Sequence, residues 1–277
     1  MKNILLIINP ENLVESDIEF GCYLAKLSQS RLTGVFLENL PLVQIPTRKT
    51  VLGMPYVETM VATDLPDYEK KRIQIEDSIS IFRNICSNKK VDSYIHVDKA
   101  MAVKEIINDS RFADFMIVNA NTSFDGKSEN VPTSFVVEVL SKSECPVVIA
   151  PDNFSEIDQI LFTYDDNASS VSAIKKFTYL FPELEDKKII IVHVGEKPVE
   201  SQKQKLLQFV RMHYSNMDFQ VLEGKPGEEL FKFITVQTKT IVIMGSYGRN
   251  KISSFLFPST AQSLIKNLGL PFFITHS

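Results

Sequence analysis

The chain has 277 residues, 44% hydrophobic and 23% charged, which is ordinary for a globular protein and long enough for two α/β domains. A formal net charge of −4 argues against general attraction to nucleic acid and supplies no basic patch for a membrane surface. The three cysteines, Cys22, Cys86 and Cys145, are far apart with no CxxC pair, so they read as reduced, small apolar residues.

An apolar run over 4–8 stops at Asn9-Pro10. It is too short for a signal peptide or a membrane span, and the expected location is the cytoplasm. This run is the first predicted strand. A helix follows over 16–27, with Phe20, Tyr23, Leu24 and Leu27 on one face, and then a strand over 32–37. Residues 40–67 break the rhythm: Pro41, Pro46, Pro55 and Pro66 oppose both helix and central strand, so an irregular insertion is expected there. Helical spacing returns over 68–87 with Ile75, Ile79, Phe82 and Ile85. A strand over 91–97, a helix over 102–110, a strand over 115–118, a helix from Pro132-Thr133 and a strand over 147–150 complete the first series.

After a polar linker over 151–158 the plan repeats. Strands are predicted over 160–164, 189–194, 219–222, 241–244 and 272–275, with helices over 169–180, 200–214 and 226–236 between them. The repeat is visible in the residues. "FMIVNANT" (115–122) matches "IVIMGSYG" (241–248), and "CPVVIA" (145–150) matches "LPFFIT" (270–275). Two βαβ series in one chain predict tandem domains, about 1–151 and 157–277, with parallel sheets.

The last stretch, IVIMGSYGRNKISSFLFPSTAQSLIKNLGLPFFITHS, carries the clearest chemistry. A buried-strand pattern runs into Gly245 and Gly248, then a loop with Arg249 and Lys251. Pro258-Ser259-Thr260 opens a helical pattern at 261, 264, 265 and 268. Strand, glycine loop and helix N-terminus can together receive an anion. The stretch resembles the universal stress proteins, whose fourth strand and helix are joined by Gly-x2-Gly-x9-Gly-Ser/Thr. Gly245, Gly248 and Ser259 keep that spacing, and Pro258 stands where the third glycine would be.

The resemblance implies two tandem universal-stress-protein-like domains of the adenine nucleotide alpha hydrolase-like fold. Each would be a five-stranded parallel sheet with helices on both faces, and the two would pack as a pseudo-dimer through their last strands. It also implies ATP or AMP, with magnesium, as ligand of the second domain. Carried over position by position, the nucleotide-binding residues are Asp165, Val194, Met244, Gly245, Gly248, Ser259 and Thr260, with Arg249 able to add charge. Pro258 has no N–H, so phosphate binding is expected to be weakened and adenine recognition kept. Asp165 equally suits a turn or helix cap, and the two glycines equally suit a tight turn.

In the first copy Asn9 stands where Asp165 stands, and Asn119 and Thr122 replace both glycines. A degenerate, silent domain is expected. Neither half has a GxGxxG fingerprint, a GxxxxGK[ST] phosphate loop or a GxSxG elbow. His96, His193, His213 and His276 form no metal-binding motif, and His193 reads as a satisfied core residue. No base or nucleophile presents itself, so no catalytic or metal residue is expected, and at most slow ATP hydrolysis. The resulting expectation is a cytoplasmic stress-response regulatory or binding protein. It would have no nucleic-acid or membrane partner, and a homodimer or an unidentified protein partner would be compatible. The alternative is a nucleotide-independent interaction scaffold.

Overall fold

The computed structural model describes residues 2–37, 45–51, 54–60, 66–98, 102–124, 129–245 and 269–275. The first half runs β1 (Asn3–Ile8), α1 (Glu15–Leu27), β2 (Arg31–Leu37), β3 (Ile45–Val51), β4 (Met54–Met60), α2 (Pro66–Asn88), β5 (Ser93–Asp98), α3 (Ala102–Ser110), β6 (Phe115–Asn119), α4 (Ser134–Lys142) and β7 (Val147–Ala150). The second half runs β8 (Gln159–Tyr164), α5 (Ala168–Leu180), β9 (Lys188–Val194), α6 (Glu200–Arg211), β10 (Met217–Leu222), α7 (Pro226–Thr235), β11 (Thr240–Gly245) and β12 (Phe272–Thr275).

Ten strands form one sheet in the order β10-β9-β8-β11-β12-β7-β6-β1-β2-β5. In this sheet every pairing within one half is parallel. The halves join at β7 and β12, which pair antiparallel with Phe273 opposite Val148. The apolar "PVVIA" and "PFFIT" segments thus lie side by side. Central strands are buried on both faces because helices cover both, which is why they read as unbroken apolar runs. Edge strand β10 is only half-buried and keeps a polar alternation.

The period of two sorts the strand residues into two cores. One face gathers Ile4, Leu6, Phe115, Ile160, Phe162 and Ile243 beneath α1, α2, α5 and α6. The other gathers Leu5, Met116, Ile149, Leu161, Val242 and Ile274 beneath α3, α4 and α7. Both cores run across the junction. Phe177, in α5, meets Phe273 at 5.2 Å, and Phe181, just after α5, meets Phe115 of the first half at 5.3 Å between ring centroids. Below them Lys2 donates to the Leu180 carbonyl at the end of α5.

One expectation is corrected. The proline-rich insertion holds an antiparallel ribbon, β3 with β4, separate from the main sheet, in which Pro46 faces Thr59 and Pro55 faces Thr50. In a two-stranded ribbon each strand has a free edge, where a missing N–H costs no ladder bond. Pro66 then opens α2, a position where proline is welcome. Further on, the Phe82 ring lies over Gly34, where a Cβ would come within 2.9 Å of it, so this strand glycine makes room for an aromatic ring.

Candidate functional site

In the second half the chain leaves β8 outward to β9 and β10, then crosses back to β11 on the other side of β8. The carboxyl ends of β8 and β11 therefore flank a topological switch point, the crevice where open α/β sheets take ligands. Asp165 follows β8 and Gly245 ends β11. Val194 ends β9, half-buried against the core. Met244 is buried in the core on the face covered by α3, α4 and α7. These four residues come from three adjacent strands. The remaining predicted residues, Gly248, Arg249, Ser259 and Thr260, lie outside the described residues, as does Pro258.

Asp165 shapes its own turn. Its carboxylate accepts from the Asn167 amide N–H at 3.2 Å and from Asn167 Nδ2 at 2.6 Å. Asp166 takes left-handed backbone (φ 66°) and turns the other way. Its carboxylate accepts from the Tyr164 hydroxyl at 2.5 Å and from the Val199 N–H at 2.9 Å. The tyrosine hydrogen bond holds the Asp166 carboxyl below its usual range. Burial, followed by the same carboxylate, pushes the Tyr164 phenol up. Asp166, with Tyr164, Val171, Lys175, Tyr179 and Val199, lines an open groove of about 720 Å³ between α5 and the start of α6.

Gly245 is explained by packing. A Cβ there would stand 2.4 Å from the Ser169 carbonyl carbon and 2.6 Å from the Ser170 nitrogen. The first turn of α5 rests directly on the end of β11, and only glycine fits. His193 is buried with both ring nitrogens facing carbonyl oxygens, Nδ1 to Tyr164 at 3.0 Å and Nε2 to Glu196 at 2.7 Å. It is the core histidine that the strand pattern suggested, and it ties β8 and β9 to the loop that follows β9.

The equivalent crevice of the first half is filled by side chains. Asn119 ends β6 at the place of Gly245, and its Nδ2 donates to Asp17 Oδ1 at 2.9 Å. Its side-chain Oδ1 accepts from the Asn121 N–H at 2.9 Å. Asn9, at the place of Asp165, donates to the Ser123 carbonyl at 2.7 Å. Thr133 donates to the Thr122 carbonyl and caps α4 by accepting from the Val136 N–H at 3.3 Å. What space remains is a small cavity of about 20 Å³ bounded in part by Asn9, Asp17, Asn119, Asn121 and Thr122, about the room of one water molecule. Burial, opposed by the Asn119 bond and reinforced by the charge of Asp152, pushes the Asp17 carboxyl up to about 7. This pair escaped the sequence reading, because an aspartate in the first turn of a helix ordinarily signals only a favourable helix end.

Among the described residues no group of three or more His, Cys, Asp or Glu side chains is placed to hold a metal ion. No described helix is long and apolar enough to cross a membrane.

Strand order, parallel pairing and helical cover on both faces define a doubly wound α/β protein made of two copies of one plan. The particular fold is that of the universal stress proteins. A universal stress protein from Archaeoglobus fulgidus DSM 4304 superimposes with a TM-score of 0.68 at 17% identity, over 99% of this chain and 96% of that one. A candidate universal stress protein from Pseudomonas aeruginosa UCBPP-PA14 superimposes with a TM-score of 0.59 at 13% identity, over 99% and 93% of the two chains. A protein of unknown function from Pseudomonas aeruginosa PAO1 gives 0.57 at 13%, over 99% and 92%. No family model matches the sequence, and a search of curated proteins finds no match.

Proposed function

We propose that this chain is a tandem universal stress protein of the cytoplasm, a regulatory binding protein that takes an adenine nucleotide, ATP or AMP, in its second domain. The two domains would span about 1–151 and 157–277. One observation carries the reading: Asp165 and Gly245 stand at the ends of β8 and β11, the two strands that flank the switch point, with Val194 at the same end of neighbouring β9. The role of each follows from its chemistry. Asp165 accepts hydrogen bonds from the adenosine moiety, in place of those it now draws from Asn167. Val194 and Met244 wall the base. Gly248, Arg249, Ser259 and Thr260 would supply amides, hydroxyls and charge for the phosphates, whose remaining charge magnesium would neutralise. Pro258 removes one amide donor, so the phosphate end is weak and binding rests on the adenosine end. Without a base or nucleophile to name, the protein senses or presents the nucleotide rather than turning it over.

A second reading is a nucleotide-independent scaffold, favoured by the packing requirement at Gly245, which makes glycine necessary with or without a ligand. Titration calorimetry with ATP and AMP in magnesium separates the two. On the first reading the protein gives a saturable isotherm that Asp165→Ala weakens at least tenfold. No heat at millimolar nucleotide selects the scaffold.

A further inference from the structure

Helices α1 and α2 lie side by side on the sheet of the first half, and each brings a buried cysteine to the contact. The Cys22 thiol donates to the Cys86 sulfur at 3.7 Å, and both residues are at most 1% exposed. Cys145 is also a free thiol but belongs to the core on the opposite face of the sheet. We propose that Cys22 and Cys86 are a redox site, forming a reversible disulfide that staples α2 to α1 when a peroxide is supplied.

The geometry is close to that of the bond. An S–S length of about 2.0 Å asks each sulfur to move by less than one bond length from its present contact. Access comes through α2. From Glu69 to the end of this helix, Ser78, Phe82 and Cys86 are the residues fully buried, four apart along a single seam. Its ion pairs to the neighbouring segment, Lys71 with Glu11 at 2.8 Å and Lys89 with Glu19 at 3.2 Å, are partly exposed and add little. Ile79, Ile81 and Ile85 pack partly buried beside that seam, and most of the remaining residues from Glu69 on are exposed. A surface helix of this kind opens locally before the strands beneath it, and such an opening admits a small oxidant.

The two sulfurs also have unequal chemistry. The Cys22 S–H, followed by Ser93, holds the Cys86 thiol below its ordinary value. The same contact and burial push Cys22 up. Cys86 is accordingly the sulfur that reacts first. Its thiolate attacks one peroxide oxygen, the O–O bond breaks, and a sulfenic acid and hydroxide result. The Cys22 sulfur then attacks the sulfenic sulfur, forming the S–S bond and releasing the hydroxyl group, which leaves as water with the Cys22 proton. Two thiols and one peroxide become one disulfide and two waters. A thiol reductant restores the starting state. The link closes a loop that contains the β3–β4 ribbon, so its consequence is to fasten α2, the helix that follows that insertion, to α1.

The test treats the full-length native protein with hydrogen peroxide, then alkylates it under denaturing conditions without reductant and maps the peptides by mass spectrometry. The expected result is a peptide pair joined through Cys22 and Cys86, with Cys145 alkylated and the link reversed by dithiothreitol. Cys22→Ser should instead leave Cys86 as a sulfenic acid that dimedone traps. Recovery of Cys22 and Cys86 both alkylated after peroxide would overturn the proposal, and so would a link through Cys145 or between chains. The wild-type map decides the matter even if a variant folds poorly.

Discussion

The two halves of this chain end their fourth strands in opposite ways. In the second half β11 stops at a glycine that lets the first turn of α5 settle onto the strand end, and the half-buried Asp165 carboxylate accepts from Asn167, two residues on. In the first half β6 stops at Asn119, whose amide reaches into α1 and binds Asp17, and the crevice closes to about the space of one water. The strands on either side are nearly the same. What differs is the reach of the pairing, across two elements in the first half and within one turn in the second. A polar group bonded across two elements is held by the fold, whereas one bonded within its own turn can exchange that partner for a ligand.

The comparison is broken most forcefully at Gly245. Gly245→Ala places a methyl group 2.4 Å from backbone that cannot move aside, and should cost about 3 kcal/mol or more. The midpoint of urea unfolding measures it. A neutral result would show that the close contact between β11 and α5 is not a fixed feature of the fold.

Asp17 sharpens the comparison through pH. Its carboxyl has an ordinary value of 3.8 and sits at about 7 in the fold. Between those values the folded state holds the proton more tightly than the unfolded chain. The stabilisation is therefore complete below about pH 4 and is lost as pH rises through 7. Asp17→Asn keeps an oxygen to accept from Asn119 and removes the buried charge. It should raise stability at pH 8 on the order of 1–3 kcal/mol and flatten the slope between pH 4 and 7, read from melting curves at several pH values. An unchanged slope would mean that Asp17 is ionised without penalty.

The smallest effect belongs to Thr133, which joins the filled loop to the start of α4. Thr133→Ala should cost about 1 kcal/mol in chemical unfolding, the usual value of a lost cap. A cost near zero would leave the cap, and the filled loop, without energetic weight.

Much of this was legible in the sequence. Apolar runs such as Ile4–Ile8 and Ile241–Met244 announced strands buried on both faces, and the recurrence of "FMIVNANT" as "IVIMGSYG" announced the repeat. The β3–β4 ribbon was hidden because proline density argues against strands in general, whereas an isolated ribbon tolerates it at its free edges. The filling of the first crevice was hidden for a different reason. Asn119 in place of a glycine tells a reader that something is lost, but its partner Asp17 lies 102 residues away, and only the sheet order brings them together. The contact of Cys22 with Cys86 is of the same kind, set by how α1 and α2 pack rather than by any spacing.

Photolabelling with an azido-adenine nucleotide, followed by peptide mapping, tests the central claim most directly. The account predicts labelled peptides from the second half, near the ends of β8 and β9, competed by ATP and lost in Asp165→Ala. Label in the first half, around Asn9, Asn119 or Thr122, would contradict it.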